Sequence, residues 1–398
     1  MDVGARLSGR GAGPEPVAIE TFAYGVFSRA GEPPRVGAAW GDALIDLASA
    51  LGDPVFAASS LNAFMARGRA AWGETRRALV ELGRDPERLA PHLVPAAEAR
   101  MHLPFEVADY VDFYSSRAHA ENLGRMFRPD QPPLPASWLR LPIGYHGRAG
   151  TVVASGTPVV RPCGMRAAPG AAEPSFGPSL RLDIEAEVGF VVGVGSELGR
   201  PVGVDEFRDH VFGVVLVNDW SARDIQSFEY VPLGPFLGKS FATAISALVL
   251  PLDALDAAWV APPAREPEPA RYLRGEQDLG LDLELEVWLN GEVVARPPFR
   301  DLYWTPAQQL AHMTVNGASL RTGDLYASGT VSGAAAGQRG SLIELSWNGR
   351  EPIQLGDGST RTFLEDGDEV TIRATAPGAD GTRVDLGEVS GTILPARC

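Results

Sequence analysis

The segment Leu182–Val192, LDIEAEVGFVV, constrains this chain more than any other. Leu182, Ile184, Ala186, Val188 and Phe190 recur at every second position, the period of a β-strand. From Val188 the alternation gives way to a nearly unbroken apolar run, as in a strand covered on both faces. The same strand carries Asp183, Glu185 and Glu187 on its other side. Glu185 and Glu187 leave the backbone about 6–7 Å apart in the same direction. Burying two carboxylates that close requires a metal or a base beside them. Glu284 and Glu286 repeat the spacing within Leu281–Leu289. With Asp282 they read as the wet face of an ordinary strand, closed by an Asn290-Gly291 hairpin turn.

Most of the remaining pattern is also β. FAYGVFS, VGAAW and ALIDL near the start read as a small β-unit, with turns at GEPPR and Gly41-Asp42. Ser341–Trp347, Asp368–Ala374 and Gly387–Leu394 read as further strands. Helices are few: Ser60–Met65, Glu74–Leu82 with Ala78, Leu79 and Leu82 on one face, and Pro306–Thr314 with Thr305 as N-cap. Arg84–Pro104 reads as a proline-dotted connector. The expected organisation is a disordered tail over 1–16, an N-terminal β-domain over 17–104 and a larger domain over 105–398. The fold class is mostly β (α+β), built from sandwich- or barrel-like sheets. No dinucleotide or phosphate-loop glycine fingerprint interrupts it.

A net charge of −15 argues against nucleic acid or an anionic membrane as partner. No apolar run approaches the ~20 residues of a membrane span. The start of the chain lacks the apolar core of a secretory signal. Cys163 and Cys398 are too few for a disulfide framework or a thiolate zinc site, and a cytoplasmic location fits. Carboxylates without thiolates favour a hard divalent cation, magnesium or calcium.

Chemistry-bearing side chains concentrate in Asn218–Ser240, NDWSARDIQSFEYVPLGPFLGKS. Trp220–Phe228 reads as a helix opened by Ser221, with Asp219, Arg223 and Gln226 on one face and Tyr230 beyond. Pro232, Gly234, Pro235 and Gly238 then fix a loop ending at Lys239, the only lysine among 35 basic residues. Either it survived by chance on the surface or it fills a place that arginine cannot. Asp112, Tyr114, Arg117 and His119 crowd into DYVDFYSSRAHAEN, where His119 has the chemistry of a general base. Tyr145 and His146 lie between glycines. Glu344 sits in the strand-like SLIELSW, facing water or orienting a histidine.

Six segments together resemble the fumarylacetoacetase family: DFYSSRAHA, LPIGYHGRAG, LDIEAEVGF, NDWSARDIQSFEYVPLGPFLGKSF, GDLYASGTVSG and LIELSW. The resemblance runs from about Tyr24 to Leu394. It implies an N-terminal SH3-like β-barrel, a C-terminal mixed β-sandwich roll and a homodimer. It implies metal-dependent hydrolysis of the carbon–carbon bond of 4-fumarylacetoacetate, a small diketo acid, to fumarate and acetoacetate, the last step of tyrosine and phenylalanine catabolism. Asp112, Glu185, Glu187 and Asp219 match calcium ligands. Asp219, Lys239 and Thr243 match a magnesium-linked site. His119 matches the base, oriented by Glu344, and Arg223, Gln226 and Lys239 match the groups around an oxyanion. Tyr114, Arg128, Tyr145, Arg223, Gln226, Tyr230 and Thr330 match substrate contacts. Ala242 stands where the family pattern has glycine, and Met313 where it has histidine. Segments 129–137 and 261–280 carry no resemblance. Acylpyruvate hydrolysis, oxaloacetate decarboxylation and diene-dioate isomerisation share the acid set and remain alternatives, as does a metal that only staples the fold.

Overall fold

The computed structural model describes residues 21–167, 173–276 and 279–398; the tail expected over 1–16 lies outside them. The described chain is mostly β with mixed sheets. A sheet of 13 strands forms its spine, and its central members are Leu248–Pro251, Val211–Asp219, Ala186–Val192, Leu325–Ala327 and Tyr110–Phe113, in that order. Most pairings are antiparallel; Leu325–Ala327 runs parallel to Tyr110–Phe113, and Thr243–Ile245 parallel to Val152–Ala154.

Val211–Asp219, VFGVVLVND, is buried along its whole length because both faces of the sheet are covered. Val214 and Leu216 point into a core shared with Ile372 and Val389 of a second, five-stranded sheet. Val215 and Val217 point the other way, into a core with Tyr24, Phe64 and Trp72 of the N-terminal segment. Tyr24–Ser28 pairs with Leu248–Pro251, so the N-terminal strands extend the large sheet.

Several sequence expectations change here. Arg84–Pro104 is no mere connector: Leu93–Pro95 pairs with Ala43–Asp46, and Arg100–His102 with Tyr24–Ser28. The helix expected over Glu74–Leu82 spans Arg69–Gly83; Trp72, Leu79 and Leu82 are its buried face, whereas Ala78 is exposed. The helix expected from Ser60 covers Asn62–Met65, with Leu61 at its cap position. Pro306–Thr314 forms as expected, with a Thr305–Gln308 capping box. The hairpin at Asn290-Gly291 also forms, both residues taking positive φ. Cys163 and Cys398 pair in a disulfide, with Cα atoms 6.0 Å apart.

Candidate active site

Three strands aim carboxylates at one point. Asp219 ends Val211–Asp219, Glu187 follows the first residue of its neighbour Ala186–Val192, and Asp112 lies in Tyr110–Phe113. The strand between the last two contributes Ala327, paired with Asp112. Glu185 joins from just before its strand. All four acids are buried, and each offers an oxygen within 4.8 Å of the others.

The cations beside them are too few. Lys239 Nζ lies 2.6 Å from Asp219 Oδ2 and also contacts Glu185 Oε2. Arg223 Nε donates to Asp183 Oδ2 at 2.8 Å, and Nη1 to Gln226 Oε1 at 3.3 Å. Its Nη2 sits 2.8 Å from Glu185 Oε1 and forms an ion pair with it. Thr243 Oγ1 and the Tyr145 hydroxyl donate to Asp219 at 2.9 and 3.1 Å. Both oxygens of Glu187 and Oδ1 of Asp112 have no hydrogen-bond partner among the described residues.

Five buried carboxylates (Asp112, Asp183, Glu185, Glu187 and Asp219) thus face the two buried cations Arg223 and Lys239. Burial, then Asp219, pushes Asp112 well above the usual carboxylate range; burial, then Asp112 and Glu185, does the same to Glu187. Burial also works against ionised Glu185, but Arg223 and Lys239 outweigh it and hold that carboxyl low. A divalent ion fits this donor set: it would partner the orphaned oxygens of Asp112 and Glu187 and offset the surplus negative charge.

Beside the acids lies a histidine–glutamate pair. His119 belongs to Arg117–Phe127, a helix capped by Ser116, and its Nδ1 is 2.6 Å from Glu344 Oε2. Glu344 also accepts from Asn122 Nδ2 at 2.9 Å, Ser332 Oγ at 2.9 Å and Ser341 Oγ at 2.8 Å. Burial opposes its charge, but His119 and these donors hold it below the usual range. An ionised Glu344 only accepts, so the proton between them sits on Nδ1. Nε2 then faces the acids, with Glu185 Oε1 3.9 Å away.

The other expected residues divide. Tyr114 packs edge-on against the His119 ring with centroids 5.3 Å apart, and burial, then Glu344 and Glu185, push its hydroxyl up against the opposing pull of Arg128 and Arg223. Thr330 is buried just beyond Gly329, whose missing side chain lets the segment pass under Phe113. Arg128 reaches the Pro133 carbonyl at 3.2 Å. Tyr230 is 47% exposed, and Arg117 pairs with Glu121 at the surface. A cavity of about 170 Å³ lined by Tyr110, Tyr145, Arg148, Asp219, Lys239 and Thr243 opens onto the Lys239 side.

Two local readings are corrected. Asp219 does not share a helix with Arg223 and Gln226: it ends a strand, and the helix is Arg223–Glu229, with Ala222 rather than Ser221 at its cap. Glu344 is not on a strand but on the single helical turn Leu342–Leu345. Sequence reading misses Asp183 and Asn122, whose partners lie 159 and 222 residues away, and Ser332 and Ser341, 12 and 3 residues before Glu344.

Known proteins carry the same signature over both halves. The model for the fumarylacetoacetate hydrolase C-terminal region matches residues 109–393, and that for the fumarylacetoacetase N-terminal region matches 21–104. The chain belongs to the fumarylacetoacetase family. It is 46% identical over 403 residues to the fumarylacetoacetases of Rattus norvegicus and Homo sapiens, covering 95% of this chain and 96% of each relative. The fumarylacetoacetase of Oryza sativa subsp. japonica is 44% identical over 407 residues, 95% of this chain and 94% of that protein. Among solved structures, the fumarylacetoacetate hydrolase of psychrophilic Exiguobacterium antarcticum shares the fold with a TM-score of 0.57. It is 16% identical, over 94% of this chain and 100% of that one.

Proposed function

We propose that this chain hydrolyses the carbon–carbon bond of 4-fumarylacetoacetate, a small diketo acid, giving fumarate and acetoacetate. The observation that carries the reading is the adjacency of orphaned acid oxygens and an ionised Glu344–His119 pair. Near-complete coverage by relatives named fumarylacetoacetase supports it. Asp112, Glu185, Glu187 and Asp219 would hold calcium, and Asp219 and Thr243, with the Lys239 ammonium beside them, would form a magnesium-linked second site. A bound divalent ion supplies Lewis-acid stabilisation of a diketone oxygen.

His119 Nε2 takes a proton from water while Glu344 stabilises the imidazolium through Nδ1. Arg223, Gln226 and Lys239 bind the oxyanion. With its oxygen accepting from Arg223, Gln226 has its amide NH2 left as the donor. Burial pulls Lys239 down, but Asp219 and Glu185 outweigh it and keep the ammonium charged, as an oxyanion binder must be. Delivery of a proton to the leaving carbon is also assigned to Lys239. Tyr114, Arg128, Tyr145, Tyr230 and Thr330 line the substrate.

The finer organisation belongs to the same reading: a boundary between 104 and 105, an SH3-like N-terminal unit, and a homodimer in the cytoplasm. Dimerisation is supported by an exposed apolar loop beside the site, with Val231 68%, Leu233 96% and Phe236 59% exposed. Among the described residues no helix is long and apolar enough to cross a membrane. The test is fumarylacetoacetate consumption with both products identified, before and after chelation and metal add-back. Loss of thermal stability without loss of turnover on chelation would make the metal a staple. Turnover of acylpyruvates or oxaloacetate in place of fumarylacetoacetate would select a different activity.

A further inference from the structure

One buried acid takes no part in the chemistry above, yet it touches both halves of it. Asp183 is fully buried. Its Oδ2 accepts from Arg223 Nε at 2.8 Å and from the backbone N–H of Ile343 at 3.1 Å. Its Oδ1 accepts from the N–H groups of Leu342 and Ile184, both at 2.7 Å. Leu342 and Ile343 open the helical turn that carries Glu344. A turn of four residues has almost no stability of its own, so its direction depends on what holds its ends. Ser341, at the cap position, makes no side-chain cap and gives its hydroxyl to Glu344 instead. The free N–H groups of the turn fall to Asp183, from a strand segment 159 residues earlier in the chain.

We infer that Asp183 is a positioning residue that fixes the His119–Glu344 pair and the Arg223 guanidinium relative to each other; this rests on the functional reading of those groups given above. Arg223 is held on three sides, by Asp183, Glu185 and Gln226, and only the Asp183 contact also reaches the Glu344 turn. Leu182–Asp183 pairs with Ser221–Ala222, immediately before Arg223, so the backbone enforces the same alignment. One carboxylate thereby sets the distance between the group that activates water and the group that receives the oxyanion.

The experiment uses the full-length, metal-loaded enzyme. Asp183→Asn preserves shape but puts an NH2 where one oxygen accepted two N–H groups, so the Glu344 turn loses its acceptor for Leu342 or, together with that for Arg223 Nε, for Ile343. A displacement of this kind costs about 100-fold in turnover, because misplacement by about an ångström is enough. The expected result is that fall in kcat with KM and calcium affinity each within about threefold of wild type, since both held groups act mainly in the transition state. A second readout needs no substrate: the far-downfield proton resonance of His119 Nδ1–H bonded to Glu344 should shift or vanish in Asp183→Asn. It should persist in Asp366→Asn, which removes the charged partner of buried Arg161 instead. A kcat within threefold of wild type, or an unchanged resonance, overturns the inference. If wild type does not turn over fumarylacetoacetate, the functional reading fails while the resonance still decides the role of Asp183. Should Asp183→Asn not fold, Asp183→Glu is carried through both measurements. Failure of both variants to fold would make Asp183 a structural staple and overturn the positioning role.

Discussion

Glu187→Gln separates a metal site from a buried ion network by the sign of its effect. Both carboxylate oxygens of Glu187 are buried without partners among the described residues. Burial and the acids around it make its charge unfavourable when no cation is bound. Glutamine has the same shape and carries no charge, so the metal-free variant should melt at or above wild type near neutral pH. The metal-loaded comparison should reverse. A cation present at 100 times its Kd stabilises the native state by about 2.7 kcal/mol. An unfolding entropy of about 2.1 cal/mol/K per residue over a chain of this length converts that to a rise of roughly 3 °C. Calorimetry with chelator, then with calcium or magnesium, should show this rise in wild type and under about 1 °C in Glu187→Gln, with turnover nearly abolished. Glu284→Gln should behave as wild type, because Glu284 is exposed and paired with Arg383. A full metal-induced rise in Glu187→Gln would refute the site. So would a metal-free variant that melts far below wild type, since Glu187 would then hold protein contacts and not an ion.

Three further outcomes follow from the same geometry. His119→Ala should lose about 10²–10⁴-fold in kcat, the scale of a general base, while a non-hydrolysable diketone analogue still binds in calorimetric titration. Lys239→Arg should be nearly as inactive as Lys239→Met, mainly in kcat, with metal uptake at the carboxylate site intact, because the planar guanidinium does not fit the corner between Asp219 and Glu185 and does not release a proton; near-normal turnover in the arginine variant would reduce the role to charge alone. Asp112 and Glu187 have raised values in the metal-free fold, so the stability they contribute is present below their ordinary 3.8 and 4.5 and is lost as pH rises through the folded values. Metal-free Tm should therefore fall as pH rises above about 4.5, and calcium should flatten the slope. Glu185 and Glu344, shifted down, oppose this only below about pH 4.5, where their contribution is lost on acidification.

What the sequence made legible was burial, and what it hid was partnership. Glu185–Glu187 and Glu284–Glu286 have the same spacing. The apolar run after the first pair marked it as interior, and the structure leaves Glu187 fully buried while Glu284 is exposed. Burial is written into neighbouring residues because a strand covered on both faces has no polar positions to spare. Asp219 misled for the complementary reason. Its spacing to Arg223 and Gln226 suits a helix, but pairing of Asn218 with Ala186 and of Asp219 with Thr243 holds the chain extended through Asp219. Neither partner is local. SLIELSW failed in the opposite direction: five alternating residues are too few to separate strand from helix by period. The helical turn forms there because a carboxylate from a distant segment receives its first N–H groups. In both places the deciding interaction involves an acid of the site. Local propensity and final structure therefore disagree most where a charge had to be aimed. Asp219 is carried to the ion cluster by extending a strand beyond its apolar run, and Glu344 is turned toward His119 by a helical turn with no stability of its own. Local pattern and final conformation are expected to conflict at such residues, because their geometry is set by a partner and not by their neighbours in sequence.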